Sequence, residues 1–422
     1  MSDSAGATLA RLRIDADRGD PEALYRLGMA LVAQQHMEQA FDCHARAAAG
    51  GHVGAQIEQA RMLLYGIGTD ADPAHAVIRL EQAERAGSVA AGCLLALVAV
   101  GGVHLPRDQR INNRVRAAVQ ADHPPALRAA AIHFGRKPHV SHQKLCLQLL
   151  ERAAARGDAI AALLLAERLQ RGEGCAPDPA FADDLREQLA ANGIATRLPA
   201  VTASPPGRAD SPPHTLALEE AWIPPSAQVL ATRPRVSVID GLLSADECRL
   251  LMASAHPGLR YSQTIDPNTG EAVTRELRTS SDASFDPIVE DLALRLVQLR
   301  MAAAAGLELV QAEQLIVLRY QPGQEYRPHR DSLPPGKIER PEAGNRVRSI
   351  CTYLNHVEAG GETEFPVAGV KVAPAPGRAV VFDNLLADGR PDPDSLHAGL
   401  PVERGEKWLA TLWLRQRRYR DY

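Results

Sequence analysis

The chain has 422 residues, enough for two or three domains with cores of their own. A formal net charge of −4 and a pI near 6.4 give no electrostatic footing for nucleic acid. Six cysteines (Cys43, Cys93, Cys146, Cys175, Cys248, Cys351) include no C-x-x-C pair, which fits reduced thiols in a cytoplasmic protein.

The opening MSDSAGATLARLRIDADRGD has no apolar core before a cleavage site and reads as no signal peptide. Between Leu9 and Gly193, Ala-rich helix ends close on Gly19, Gly50, Gly87, Asp122, Gly157 and Gly193, at intervals of 31, 37, 35, 35 and 36. That is the period of a two-helix repeat, each mark being followed by an apolar helix such as EALYRLGMALV or AIAALLLAERL. Val89 to Val103 is uncharged but too short for a membrane span and contains three glycines, so it reads as a buried helix. The third and fourth units depart from the pattern, with VGGVHLPRDQR and HFGRKPHVSHQK replacing the glycine-rich turn. His139 and His142 lack a nearby carboxylate or Cys pair and read as ordinary polar residues. The segment LLYGIGTDADPAHAVIRLEQAERAGS resembles the Sel1-like variety of tetratricopeptide repeat, through its Tyr65-Gly66-Ile67-Gly68 turn and its second helix from Ala76 to Ala86. Neither helix of such a unit can bury its apolar face alone, so the units stack into a solenoid whose groove suits a protein partner, or else packs on the second domain.

Leu198 to Pro234 is dense in Pro, Ser and Ala and predicts an extended, weakly ordered connection, with TLALEEAWI docking as a helical turn and Trp222 as a packing anchor. RPRVSVID then alternates as a strand, and Ser244 with Glu247 forms the capping box of a helix running to Ala255. YSQTIDPNTGEAVTRE, from Tyr261 to Glu276, holds a strong turn signal and predicts a mobile loop. Pro287 to Ala305 predicts an amphipathic helix. Beyond Gln314 strands dominate, at Leu315–Tyr320, Arg348–Leu354, Thr363–Phe365, Val370–Val372, Arg378–Phe382 and Trp408–Arg415. Short strands broken by Pro and Gly predict a double-sheet jelly roll.

Within that half, His329-Arg330-Asp331 carries two metal-ligating side chains two positions apart, which in a strand project from one face. With His397 from another strand they make two imidazoles and one carboxylate, the facial set of non-haem Fe(II) oxygenases. Lys407, ten positions on at the start of an apolar strand, is placed to hold the far carboxylate of a chelating keto-acid. A rival triplet, His356-Val357-Glu358, sits among turn residues and reads as a loop.

RYQPGQEYRPHRD, NRVRSICTYLNHVEAGGETEFP and HAGLPVERGEKWLATLWLR, preceded by RPRVSVIDGLLSADECRLL and RTSS, resemble the prolyl 4-hydroxylase family of Fe(II)/2-oxoglutarate-dependent dioxygenases from Arg233 onward. The resemblance implies an α+β multidomain chain: Sel1-like helical repeats over 1–197, a Pro-rich linker over 198–232, and a double-stranded β-helix (jelly-roll) oxygenase domain over 233–422. It implies Fe(II) on His329, Asp331 and His397, and 2-oxoglutarate on Lys407 with hydroxyls from Tyr320 and Thr363. O2 and ascorbate complete the implied cofactors, and Asp331 favours hydroxylation over halogenation. Arg278, Tyr326, Arg346 and Trp413 match family positions near the substrate, the implied substrate being a peptidyl proline of a protein recruited by the repeats, with no nucleic acid and no membrane involved. The same chemistry on a free amino acid or other small molecule, and a catalytically silent repeat adaptor, are the alternatives.

Overall fold

The computed structural model describes residues 12–194, 197–203, 213–262, 264–265, 272–273, 278–334 and 336–422. The chain forms two compact units, one reaching to His123 and including Tyr422, the other running from Pro124 to Asp421.

Among its described residues the first unit holds, after a short helical stretch over 12–17, three antiparallel helix pairs: α1 (Pro21–Ala33) with α2 (Met37–Ala49), α3 (Val53–Tyr65) with α4 (Pro73–Arg85), and α5 (Val89–Gly101) with α6 (Arg110–Gln120). Side chains of Asp20, Asp72 and Ser88 accept the orphan N–H groups at three of the N-termini. The contacts are made by small residues, Ala40, Ala47, Ala55, Ala60 and Ala76 being fully buried, so the helices approach closely. Helix α5 is buried on nearly every face, as its uncharged sequence predicts. The helix-ending marks take positive φ at Gly19, Gly51, Gly87, Asp122, Gly157 and Gly193. The second mark is therefore Gly51, not Gly50, and the first two intervals become 32 and 36. In the third unit Gly102 still ends α5 in the left-handed region, so VGGVHLPRDQR keeps the glycine cap.

The second unit begins with four more helices, α7 (Pro124–Gly135), α8 (Val140–Ala155), α9 (Ala159–Arg171) and α10 (Pro179–Ala191). Two further helices, α11 (Ala245–Ala255) and α12 (Leu292–Ala304), pack against them. Buried charges line this junction. Arg168 pairs with Asp246, Arg136 and Arg300 with Glu247, and Arg249 with both Glu173 and Asp246. Arg128 bridges Asp158 and Asp291, the N-caps of α9 and α12. Gly135 has no glycine-specific φ, but a Cβ on it would lie 2.6 Å from Asp246 and 2.7 Å from Arg168, so the fourth unit's departure from the repeat makes room for this junction.

The capping box of α11 forms as read, and Glu247 does double duty there: it accepts from the Ser244 N–H at 2.8 Å while holding Arg300. Helix α12 departs from the expected amphipathic helix. It starts at Leu292 rather than Pro287, and Leu292 through Ala302 are all buried, because Arg295 and Arg300 find Glu290 and Glu247 inside the protein. The described linker is more fixed than its composition predicts: Val201 is fully buried with its carbonyl on Arg249, and Leu218–Trp222 is a 3-10 turn that buries Leu218 and Ala221. Trp222 itself is only partly buried. The expected loop from Tyr261 to Glu276 falls largely outside the described residues.

The rest is a jelly roll of two main sheets, with two-stranded ribbons pairing Ala359–Gly360 with Val402–Arg404 and Thr264–Ile265 with Ala272–Val273. The larger has the order Gln228–Thr232, Arg235–Ile239, Ala379–Asp383, Arg346–Tyr353, Lys407–Arg415, Ile316–Tyr320, Ser281–Ser284, Arg260–Tyr261. The smaller runs Val370–Val372, Thr363–Phe365, His397–Gly399, Tyr326–His329. All pairings are antiparallel. Leu318, Tyr320, Tyr353 and Phe382 of one sheet meet Phe365 and Val372 of the other in a common core. Of the strands the smaller sheet uses, the alternating pattern revealed Thr363–Phe365 and Val370–Val372, while the strands under His329 and His397 were expected from the ligand spacing alone.

Candidate active site

Between the sheets, alternation brings every second residue of a long strand to one cleft. From Lys407–Arg415 the cleft receives Lys407, Leu409, Thr411 and Trp413; from Ile316–Tyr320 it receives Leu318 and Tyr320. His329, Asp331 and His397 stand at the same cleft, with Thr363, Tyr326 and Arg278.

His329 and His397 face each other directly across paired strands, on one rung of the smaller sheet. Asp331 is not on the strand as expected: Tyr326–His329 ends at His329, and the chain bends to bring the carboxylate beside both rings. His329 Nε2 lies 3.6 Å from Asp331 Oδ1, and His397 Nε2 lies 3.8 Å from Asp331 Oδ2. One donor atom from each of the three falls within 4.8 Å of the others. Atoms bound to one ion at about 2.1 Å lie within about 4.2 Å of each other, so slight closure suffices.

The second nitrogen of each ring is already engaged. His329 Nδ1 is 2.8 Å from the carbonyl of Arg327 and His397 Nδ1 is 3.0 Å from that of Ser395. A carbonyl only accepts, so each Nδ1 carries the proton and each Nε2 presents its lone pair to the cleft. Burial pushes His397 down to about 4, which keeps it neutral and able to ligate at ordinary pH. Phe365 and Phe382 flank its ring. Burial alone would raise Asp331, but positive charge on the two imidazoles when they are protonated, and on Arg346 farther off, holds its carboxyl far below the usual range. Its Oδ2 accepts from the Ser349 hydroxyl at 2.6 Å. These groups fit a divalent metal: three donors of the right type, oriented from behind, with one side left to the cleft.

Lys407 lies deeper, 2% exposed, its ammonium over the rings of Tyr320 and Tyr353 at 5.2 and 5.4 Å. No carboxylate pairs with it among the described residues, and burial pushes its value down to about 8. A buried cation with no partner is costly, and an anionic ligand would relieve it. Room is made by Gly361, at φ +77, whose Cβ would come 3.3 Å from Lys407 Cδ. Thr363 follows two positions later, its hydroxyl 2.6 Å from that of Tyr353, which also donates to the Val372 carbonyl at 3.0 Å.

Of the other residues singled out, Arg278 is bridged to Tyr326 along the backbone, stacks over its ring and pairs with Asp282. Arg346 is held by Glu313 through two hydrogen bonds of 2.7 and 2.8 Å and lies 3.8 Å over the Trp413 ring. His356 is an exposed loop residue, away from the cleft, as expected. Ser349, Cys351, Tyr353 and Thr411 were missed. Counting by twos along Arg346–Tyr353 from the buried end would have found three of them. Cys351 is buried, its thiol pushed up to about 12, and so is no nucleophile.

Residues 315–415 match the model of the 2OG-Fe(II) oxygenase superfamily. Prolyl 4-hydroxylase 1 of Arabidopsis thaliana is 36% identical over 210 residues, covering 45% of this chain and 72% of its own, and probable prolyl 4-hydroxylase 10 of the same plant is 32% identical over 220 residues, covering 48% and 74%. Among solved structures, a viral collagen prolyl hydroxylase from Paramecium bursaria Chlorella virus-1, in complex with 2-oxoglutarate, is 29% identical with a TM-score of 0.34, covering 43% of this chain and 95% of that one. A Sel1 repeat protein from Oxalobacter formigenes is 23% identical with a TM-score of 0.38, covering 44% and 55%. With those relatives matched over more than two thirds of their length, the chain belongs to the prolyl 4-hydroxylase family of 2-oxoglutarate- and Fe(II)-dependent dioxygenases.

Proposed function

We propose that the protein hydroxylates prolyl residues of a peptide or protein, with Fe(II) held by His329, Asp331 and His397. The observation that carries this reading is the juxtaposition, in one cleft, of that three-ligand set with the unpaired, buried ammonium of Lys407. When bound, Fe(II) and 2-oxoglutarate would let O2 oxidise an unactivated C–H bond, one oxygen atom entering the new hydroxyl and the other the succinate that forms as CO2 leaves. The chain's part is to bind and orient. Lys407 pairs with the far carboxylate of 2-oxoglutarate through a charge-assisted bond, with Thr363 and Tyr320 as hydroxyl partners. Leu318, Leu409 and Trp413 wall off water. Arg278 and Tyr326 face the incoming substrate, and Arg346 acts by steadying Trp413.

The substrate class rests on the prolyl 4-hydroxylases the chain resembles. Recruitment of a protein target by the helical repeats over 1–197 is part of the proposal, supported by four repeat helices sharing a compact unit with the jelly roll. Ascorbate as a reductant and a cytoplasmic setting complete it, the latter supported by six free cysteines; among the described residues no helix is long and apolar enough to cross a membrane.

The test is succinate formation from 2-oxoglutarate with Fe(II), with and without ascorbate and proline-rich peptides, alongside His329→Ala. Peptide-stimulated turnover with hydroxyproline in the product, lost in His329→Ala, supports the proposal. Turnover stimulated only by free amino acids or metabolites overturns the peptidyl substrate, and no turnover or metal binding overturns the site.

A further inference from the structure

Asn384 is fully buried and belongs to no motif, yet two of the three proposed metal ligands connect to it through successive hydrogen-bonded residues. From His397, Nδ1 meets the Ser395 carbonyl at 3.0 Å, the Ser395 hydroxyl donates to the Asp392 carbonyl at 2.7 Å, and the Asp392 N–H donates to the Asn384 carbonyl at 2.9 Å. From Asn384 the path continues through its side chain. Nδ2 donates to Ser349 Oγ at 2.9 Å, and the Ser349 hydroxyl donates to Asp331 Oδ2 at 2.6 Å. The Asn384 N–H is also fixed, on the carbonyl of Val347 at 2.9 Å, in the strand that carries Ser349.

The direction of donation matters. A hydroxyl has one proton, so an amide that donates into Ser349 leaves that proton for Asp331. The Asn384 Oδ1 has no hydrogen-bond partner among the described residues. A buried carbonyl left so is costly, and such a cost is retained where the other half of the amide is needed.

We propose that Asn384 is a positioning residue for the metal centre: its backbone anchors the loop that delivers His397, and its carboxamide directs the Ser349 proton to Asp331. The proposal rests on the reading of His329, Asp331 and His397 as metal ligands. Partners that orient ligands from behind set metal affinity by about 10- to 100-fold when removed.

The experiment titrates metal-free, full-length protein with Co(II), by calorimetry and by the visible absorption of the bound ion. Wild type is compared with Asn384→Ala, Ser349→Ala, Ser349→Thr, the double alanine variant and His329→Ala. Expected are Co(II) affinities about 10- to 100-fold weaker and altered spectra in both single alanine variants, near-wild-type behaviour in Ser349→Thr, which keeps the hydroxyl, and a double variant weaker than either single one by less than their product. Should Asn384→Ala fail to fold, the Ser349→Ala and Ser349→Thr pair decides. Wild-type affinity and spectrum in Ser349→Ala, or independent effects of the two alanines, overturn the proposal. Wild type binding Co(II) no better than His329→Ala overturns the metal centre itself, a distinct failure.

Discussion

Arg168 and Asp246 form an ion pair with both side chains almost wholly out of water, at 1% and 2% exposure, and it joins a repeat helix to the first helix of the catalytic half. Neither charge is tolerable there alone. Arg168→Met is expected to destabilise the second unit by about 3–5 kcal/mol, since it strands a buried carboxylate that Arg249 only partly neutralises. Urea unfolding measures it. The same reasoning bears on the domain boundary read from sequence: a chain begun at residue 233 lacks Arg136, Arg168 and Glu173, and is expected to be proteolysed and to aggregate where a chain begun at 124 is not.

Acid should loosen the same junction. Burial would raise the Glu247 carboxyl, but Arg136 and Arg300 overcome it and hold it down to about 2, against an ordinary 4.5. Its folded value is depressed, so its contribution is full above pH 4.5 and is lost as pH falls toward 2. That contribution is on the order of 3 kcal/mol. Stability measured by urea across that window should fall in wild type and fall less in Glu247→Gln, which begins lower.

The affinity for 2-oxoglutarate should decline on the alkaline side. Burial pushes Lys407 down to about 8 in the free protein, and only the protonated amine pairs with a carboxylate. Dissociation constants should therefore rise above pH 8, by up to about tenfold per pH unit. Lys407→Met is expected to weaken binding about 10- to 100-fold at neutral pH and to flatten the profile, while Co(II) affinity stays as in wild type.

Tyr353→Phe separates the two ends of the site. It removes the hydroxyl that touches Thr363 and the Val372 carbonyl, and leaves the metal ligands alone. A several-fold rise in KM for 2-oxoglutarate with unchanged Co(II) binding is expected; a change in metal affinity would contradict the division of labour drawn above.

Gly135→Ala tests the close approach at the junction. The added Cβ meets the Asp246 and Arg168 termini, both locked in place, so a loss of about 1–3 kcal/mol in thermal or urea unfolding is expected.

The residues that chemistry dictates were readable from sequence. His329, Asp331, His397 and Lys407 announce themselves by type and spacing, and the cap at Ser244 and the helical period likewise depend on neighbours along the chain. What stayed hidden depends on partners distant in sequence. Arg295 and Arg300 look like the polar face of a surface helix until Glu290 and Glu247 are seen beside them. Asn384 and Ser349 are ordinary polar residues until the chain folds Asp331 and the His397 loop onto them. The strands under His329 and His397 were expected from ligand spacing, but their bounds, Tyr326–His329 and His397–Gly399, escape pattern reading because they lack the alternation of a half-buried strand.

His329 and His397 occupy one rung of a ladder, though roughly 70 residues separate them in the chain. A slip of one residue in that pairing would turn His397 to the opposite face. On the proposed reading of these residues as metal ligands, metal capture waits on assembly: a partly made or misregistered barrel has no complete ligand set. Oxygen chemistry at that site would then wait until the fold that contains it has closed.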